Sequence, residues 1–227
     1  MTLINCDLGE CLASDPDKII MPLIHMANIA CGGHVGNEKS ITKTILMAKD
    51  NGVCVGAHPS YLDQENFGRI SQQHSNAELF QIIYQQVKSF DDLCEQHNIS
   101  MEYIKPHGAL YHDMMHKQAV LEVLCQVIEE LNLPLSLVVQ AGKNTTIFER
   151  FSEDYNIRFL YEMFADRGYQ ALQIIPRGEQ GAMLEDAQQV VAQYQYFSEQ
   201  QTITIDTICF HSDNPASVEA LKMLKYI

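Results

Sequence analysis

Seven times along a chain of 227 residues, a short apolar run breaks into a tight cluster of polar residues and glycine. The runs are Thr2–Cys6, His25–Ala30, Val53–Ala57, Met101–Lys105, Leu135–Val139, Ile157–Tyr161 and Thr207–Phe210. Most are nearly continuous rather than alternating, which marks strands covered on both faces, as in a parallel sheet. Parallel strands need long crossover connections, and helical patterns fill the gaps. Ser75-Asn-Ala-Glu78 is a capping box opening a stripe of Leu79, Ile83, Val87, Phe90 and Cys94. Asn37 caps a helix carrying Ile41, Ile45 and Ala48, stopped at Gly52. Leu121, Leu124, Ile128 and Leu131 form another stripe, and Ala187, Val190, Val191, Tyr194 and Phe197 a later one. Asn214-Pro215 supplies a cap and a first-turn proline for the last helix.

The clusters decide the architecture. They are Asn5-Cys-Asp-Leu-Gly-Glu10, Asn28-Ile-Ala-Cys-Gly-Gly-His34, Gly56-Ala-His-Pro59, Lys105-Pro-His-Gly-Ala-Leu-Tyr111, Gln140-Ala-Gly-Lys143, Glu162-Met-Phe-Ala-Asp-Arg167 and His211-Ser-Asp-Asn214. Six carry groups able to move protons, bind a metal or hold a phosphate. A doubly wound sheet feeds its ligand from two or three loops at one switch point. Here nearly every strand contributes, which predicts a barrel with one site at the strands' C-terminal ends. Seven strand–helix units are clear, and an eighth strand around Ala171–Ile175 is weakly marked. The expectation is one α/β domain over residues 1–227, a distorted (β/α)7-8 barrel.

Charge and cysteine usage narrow the functions. With 15 basic and 29 acidic residues the net charge is −14, which repels nucleic acid. No basic leader opens the sequence, and no apolar run approaches the ~18 residues of a membrane span, so a cytoplasmic protein without a membrane segment is expected. The seven cysteines include no Cys-x-x-Cys pair and read as reduced thiols of a reducing compartment.

Candidate chemistry follows from residue type and place. Asp7 and Glu10 flank Gly9, whose turn lets both carboxylates face one cavity, as general acid and base or as Mg²⁺ ligands. His34 ends a glycine-rich segment whose N–H groups could approach an anion. Proline after His58 and after Lys105 forces both residues out of helical geometry, so each projects at a strand end. A lysine there is costly unless paired or used, and His107 stands beside it. Asp166 and Arg167 form either a local ion pair or part of the site. Arg69, Arg167 and Arg177 could clamp a carboxylate or phosphate, and His211 and Asp213 complete the set. Neither a Walker loop nor the Gly-x-Ser-x-Gly elbow occurs. Zinc spacing is also missing; a site from Asp7, His34 and His58 across three strands would carry no diagnostic spacing.

Taken in order, these blocks resemble the LamB/YcsF family. The likeness runs from Asn5–Glu10 through Asn28–His34, Gly56–Pro59, Phe67-Gly-Arg69, Lys105–Tyr111, Phe164–Arg167 and Pro176-Arg177 to His211-Ser-Asp213. The resemblance implies a distorted barrel like that of polysaccharide deacetylases. It also implies ATP-dependent opening of 5-oxo-L-proline to L-glutamate, with ATP and Mg²⁺ as cofactors and subunits B and C as partners. The chemistry the residues permit makes Asp7, Glu10, His34, His58, Lys105, His107, Asp166 and Asp213 the candidates for catalysis, and Asn28, Arg69, Arg167, Arg177 and His211 those for substrate or phosphate binding. Departures stand at Cys11-Leu12, at His34-Val-Gly-Asn37, where the pattern has a carboxylate, and at Ser212, where it has glycine. Two other readings of the residues are a metal-dependent deacetylase or amidohydrolase on the same barrel, and a non-catalytic subunit binding a small acid. Loss of activity with an intact fold is expected for Lys105→Ala and Asp7→Ala.

Overall fold

In a computed structural model that describes residues 2–10, 15–142 and 145–225, the seven apolar runs become seven parallel strands closed into a barrel. Cys11-Leu12 and Lys143 lie outside the described residues. The strands are β1 (Leu3–Leu8), β2 (Met26–Ala30), β3 (Cys54–His58), β4 (Met101–Ile104), β5 (Ser136–Gln140), β6 (Arg158–Phe164) and β9 (Thr207–His211). Each pairs with the next, β6 pairs directly with β9, and β9 closes on β1 with Asn5 opposite Cys209 and Asp7 opposite His211. The weakly marked eighth strand does not join them. Tyr169–Gln170 (β7) and Gln173–Ile174 (β8) pair antiparallel with each other in a hairpin outside the barrel. Ala171, at the turn, holds a left-handed φ of 56°.

The helices are α1 (Asp17–Ile20), α2 (Glu38–Asn51), α3 (Asn76–Gln96), α4 (Gly108–His116), α5 (Gln118–Leu131), α6 (Thr146–Tyr155), α7 (Ala187–Ser198) and α8 (Pro215–Leu224). The two expected caps on α2 and α3 are formed, with Asn37 accepting from the Ser40 N–H and Ser75 from that of Glu78. Asn214 caps α8 with Pro215 in its first turn.

Period-two alternation sorts the strand side chains into two populations. Cys6, Leu8, Ala27, Ile29, Val55, Leu137, Val139, Ile208 and Phe210 join the helical stripes of Ile45, Ile83, Val87 and Leu124 in the main core. Each such large side chain contributes about 1.5–3 kcal/mol as an upper estimate. The alternate positions hold a separate apolar plug of Met26, Tyr103, Val138 and Leu160. Continuing in steps of two along the same strands leads to Asn28, Lys105, Gln140 and Glu162. The plug therefore fills one end of the barrel interior and the polar residues the other.

Candidate functional site

A lattice of polar side chains crosses the barrel above the plug. Tyr103 donates to Asn28 Oδ1 at 2.8 Å, and the Asn28 amide donates to Asn5 Oδ1 and Asp7 Oδ1, each at 2.7 Å. Asn5 in turn donates to Thr207 Oγ1 at 2.9 Å and to Glu162 Oε2 at 3.2 Å. Into this lattice projects Lys105, only 2% exposed. Its Nζ lies 3.0 Å from Asp7 Oδ1, 3.1 Å from Asn5 Oδ1, 3.2 Å from Glu162 Oε2 and 3.0 Å from Cys209 Sγ. Burial works against the ammonium, but the Asp7 and Glu162 carboxylates outweigh it and hold Lys105 above the usual lysine range. Asp7 likewise overcomes burial: Lys105 and His58 keep its carboxyl well below the usual range.

On the Oδ2 side of Asp7 stand the histidines. His58 Nε2 is 3.5 Å from Asp7 Oδ2, and its Nδ1 is 2.6 Å from the Lys105 carbonyl. His107 Nδ1 is 3.0 Å from His58 Nε2 and 3.5 Å from Glu10 Oε1. Its other nitrogen, Nε2, is 2.9 Å from the Phe67 carbonyl. Burial, with His58 and His34 alongside, holds His107 well below the ordinary imidazole range. Glu10 is pushed up to about 7 by burial and by Asp7.

A second pair closes the ring. His211 Nδ1 is 2.7 Å from Asp166 Oδ1, and its Nε2 is 3.9 Å from Asp7 Oδ2. Burial disfavours the imidazolium, yet Asp166 prevails and His211 is raised above the ordinary histidine value. Asp166 thus pairs with His211, across from its own strand, rather than with neighbouring Arg167.

Above these groups opens a cavity of about 560 Å³, within the usual size for a small-molecule site. Asp7, Glu10, His58, Lys105, His107 and His211 line its floor, while Arg69, Arg177 and Asp213 reach its wall and mouth. Arg69 pairs with Asp213 at 2.7 Å. Three candidates stand behind the wall. Asn28 is fully buried and orients Asp7. Asp166 is fully buried beneath His211. His34, 1% exposed, stacks on His107 with ring centroids 3.7 Å apart, and burial pulls it down to about 3, so it stays neutral. Arg167 borders the cavity, but its guanidinium donates to the Ala182 and Ile175 carbonyls and fastens the loop after β6. Lys105, similarly, has its donors committed inside the barrel and is not free for phosphate.

Asn5 and Glu162 open two of the clusters without a role assigned to them, and the other two supporting residues, Tyr103 and Cys209, lie outside every cluster. Their signal was a polar residue, or a tyrosine, set within an apolar strand. Among the described residues, two groups of side chains bring ligand atoms within 4.8 Å of one another: Asp7, Glu10, His58 and His107, and Asp7, Cys209 and His211. Among the described residues no helix is long and apolar enough to cross a membrane, and Cys6, Cys31, Cys54, Cys94, Cys125 and Cys209 are free thiols.

Comparison with known proteins bears on this geometry. A family model described as the LamB/YcsF family matches residues 3–226. The 5-oxoprolinase A subunit of Vibrio vulnificus (strain YJ016) is 34% identical over 235 residues, covering 97% of this chain and 94% of that protein. The protein of the same name from Pseudomonas fluorescens is 34% identical over 237 residues, covering 98% and 95%. Among solved structures, a lactam utilization protein from Thermus thermophilus superposes with a TM-score of 0.86 at 26% identity, covering 99% and 96% of the two chains. A xylose isomerase domain protein from Planctomyces limnophilus shares the barrel alone, with a TM-score of 0.53 and 10% identity.

Proposed function

The chain belongs to the LamB/YcsF family, and from that membership we propose that it is the ring-opening subunit of a 5-oxoprolinase, converting 5-oxo-L-proline to L-glutamate with ATP and partner subunits. The relatives are named as one subunit of an enzyme, which supports the need for partners. The observation that carries the reading is the polarity of the cavity. Guanidinium groups stand at the mouth, at Arg69 and Arg177, and proton-carrying groups at the floor, at Glu10, His58, His107 and His211. A small acid bearing one carboxylate and one amide is held by both ends in such a space.

An unstrained lactam resists water because its amide is resonance-stabilised and its amine leaves poorly. Transfer of the γ-phosphoryl group of ATP to the amide oxygen, releasing ADP, removes the resonance. Water then adds to the ring carbon and the carbon–nitrogen bond breaks, the nitrogen taking up protons to become the α-ammonium group. The resulting acyl phosphate reacts with a second water to give glutamate and inorganic phosphate. His211, held at Nδ1 by Asp166 with Nε2 toward the cavity, is placed to pass a proton to the departing nitrogen. Phosphoryl transfer asks mainly for positioning and charge neutralisation, which the mouth arginines offer.

Mg²⁺ prefers a shell of oxygens and keeps several waters. The buried floor offers two imidazole nitrogens beside its carboxylates and does not fit that preference. Mg²⁺ is therefore assigned to the nucleotide, and no step is drawn through it. The decisive assay measures glutamate and ADP with each component omitted in turn. With the B and C partners and Mg-ATP, the two products should appear one for one. The isolated chain should turn over 5-oxoproline slowly or not at all. Full activity from this chain alone, without ATP, would overturn the proposal in favour of an amidohydrolase.

A further inference from the structure

The hydrogen bonds of His58 and His107 fix where their protons are. A carbonyl oxygen only accepts, so His58 Nδ1, 2.6 Å from the Lys105 carbonyl, carries a proton. By the same reasoning His107 Nε2, 2.9 Å from the Phe67 carbonyl, carries one. In the neutral rings this leaves His58 Nε2 and His107 Nδ1 as bare lone pairs, and these two atoms face each other at 3.0 Å. Two lone pairs at that distance repel unless something positive lies between or beside them. Two carboxylate oxygens converge on the same point. Asp7 Oδ2 is 3.5 Å from His58 Nε2, and Glu10 Oε1 is 3.5 Å from His107 Nδ1. Glu10 Oε1 is buried and accepts no hydrogen bond, in a side chain only 5% exposed. A single shared proton would reconcile the two nitrogens but not Glu10 Oε1, which has His34 Nε2 at 3.4 Å without a hydrogen bond formed between them.

We infer that Asp7 Oδ2, Glu10 Oε1, His58 Nε2 and His107 Nδ1 form a binding site for a zinc-class divalent transition metal. A tetrahedral ion with bonds of about 2.0–2.2 Å spaces its ligand atoms roughly 3.3–3.6 Å apart. Two of the separations, both 3.5 Å, fall within that spacing, and the third, 3.0 Å, is a few tenths of an ångström shorter. The outer contacts are those a metal-binding histidine uses, with the second ring nitrogen donated to a backbone carbonyl in both cases. Asp7 is prepared in the same way: Asn28 and Lys105 occupy Oδ1 and leave Oδ2 for the ion. The Phe67 carbonyl is supplied by a residue at φ 55°, a left-handed conformation that a bulky side chain rarely adopts. Mixed imidazole and carboxylate donors select zinc-class ions over Mg²⁺. All four ligand residues line the cavity, so a bound ion would act as a Lewis acid beside whatever amide or phosphate enters. The site stands on the geometry of this chain, independent of whether the substrate is 5-oxoproline.

The test is metal binding by the purified full-length chain, free of any affinity tag. The chain is stripped with a chelator and equilibrated with Zn²⁺ by dialysis, and bound metal is measured by elemental mass spectrometry. The exposed, stacked pair His112 and His116, 4.2 Å apart, could hold a stray ion, so the background is the His112→Ala/His116→Ala chain. One equivalent of Zn²⁺ should remain on that background, and excess Mg²⁺ should not displace it. Co²⁺ in its place should give the intense visible bands of a low-symmetry four- or five-coordinate ion. His107→Ala and Glu10→Gln should each weaken Zn²⁺ at least about tenfold. Circular dichroism shows which variants are folded, and the Glu10→Gln change, nearly isosteric, decides the matter if His107→Ala does not fold. Failure to retain Zn²⁺, displacement by Mg²⁺, or unchanged affinity in folded variants would overturn the inference. None of these outcomes depends on turnover of a lactam, so this site and the proposed reaction fail separately.

Discussion

Lys105 shows how one buried charge ties the site to the fold. The sequence places it just beyond a strand, where its removal is expected to cost activity alone. Its position inside the barrel replaces that expectation, because Asp7 and Glu162 both rely on its ammonium. Lys105→Ala would leave two carboxylates buried without a counter-charge, and breaking such an arrangement costs about 3–5 kcal/mol. Denaturant unfolding should report that loss. Lys105→Met combined with Glu162→Gln should recover much of the stability and none of the activity. Comparable stability of Lys105→Ala and the parent would show that water reaches the lattice and relieves the charges. Asp7→Ala removes one carboxylate and leaves Lys105 paired with Glu162, so its effect on unfolding should be the smaller.

At the scale of elements, the segment between β3 and α3 forms one wall of the site and is pinned to α4. Asp113 in α4 accepts from Tyr61 at 2.8 Å and from Ser71 at 2.5 Å, with Lys117 at 3.0 Å. Although burial opposes it, these donors hold the Asp113 carboxyl below the usual aspartate range. The folded value lies below the unfolded one. The contribution to stability is therefore complete above about pH 4, the unfolded aspartate value, and is lost as pH falls through the folded value. The difference in Tm between the parent and Asp113→Asn should stay constant from pH 8 to pH 5 and shrink below pH 4. A difference that persists undiminished at pH 3 would assign the effect to shape rather than charge. In the same segment Gly68 has a φ of 65°, and a Cβ there would come within 3.0 Å of both His107 Cδ2 and His34 Cβ. Left-handed backbone costs a residue with a Cβ about 1–2 kcal/mol. Gly68→Ala should thus lower Tm by a few degrees and turnover more than tenfold, measured in the full complex, because His107 must shift. Retained turnover would show that His107 tolerates displacement.

For the whole molecule, much of the barrel was written in the strands themselves, since parallel strands covered on both faces keep apolar residues at every position. Caps at Asn37, Ser75 and Asn214 were equally readable because their side-chain bonds are local. The helix α4 was not, because its opening His107-Gly108-Ala109 reads as part of a loop motif, and α6 begins without a side-chain cap. The hairpin β7–β8 mimicked a strand through its apolar residues. Within the site, strand-end histidines and acids were legible by type. Their division of labour was not, because it depends on partners from other strands: Asp166 on His211, Asn28 on Asp7, His34 on His107. The same lattice sets an order of events when the chain is made. Asn5 and Thr207 bond across the barrel though they are 202 positions apart, and β1 finds one of its two neighbours only in β9. During synthesis the first strand therefore lacks one of its two neighbours, and Asn5 its bond to Thr207, until the last strand has left the ribosome. Local helix pairs can form early, whereas the chemistry can only be assembled at the end. A nascent chain stalled before Thr207 should bind no metal at the floor and remain dependent on chaperones for solubility.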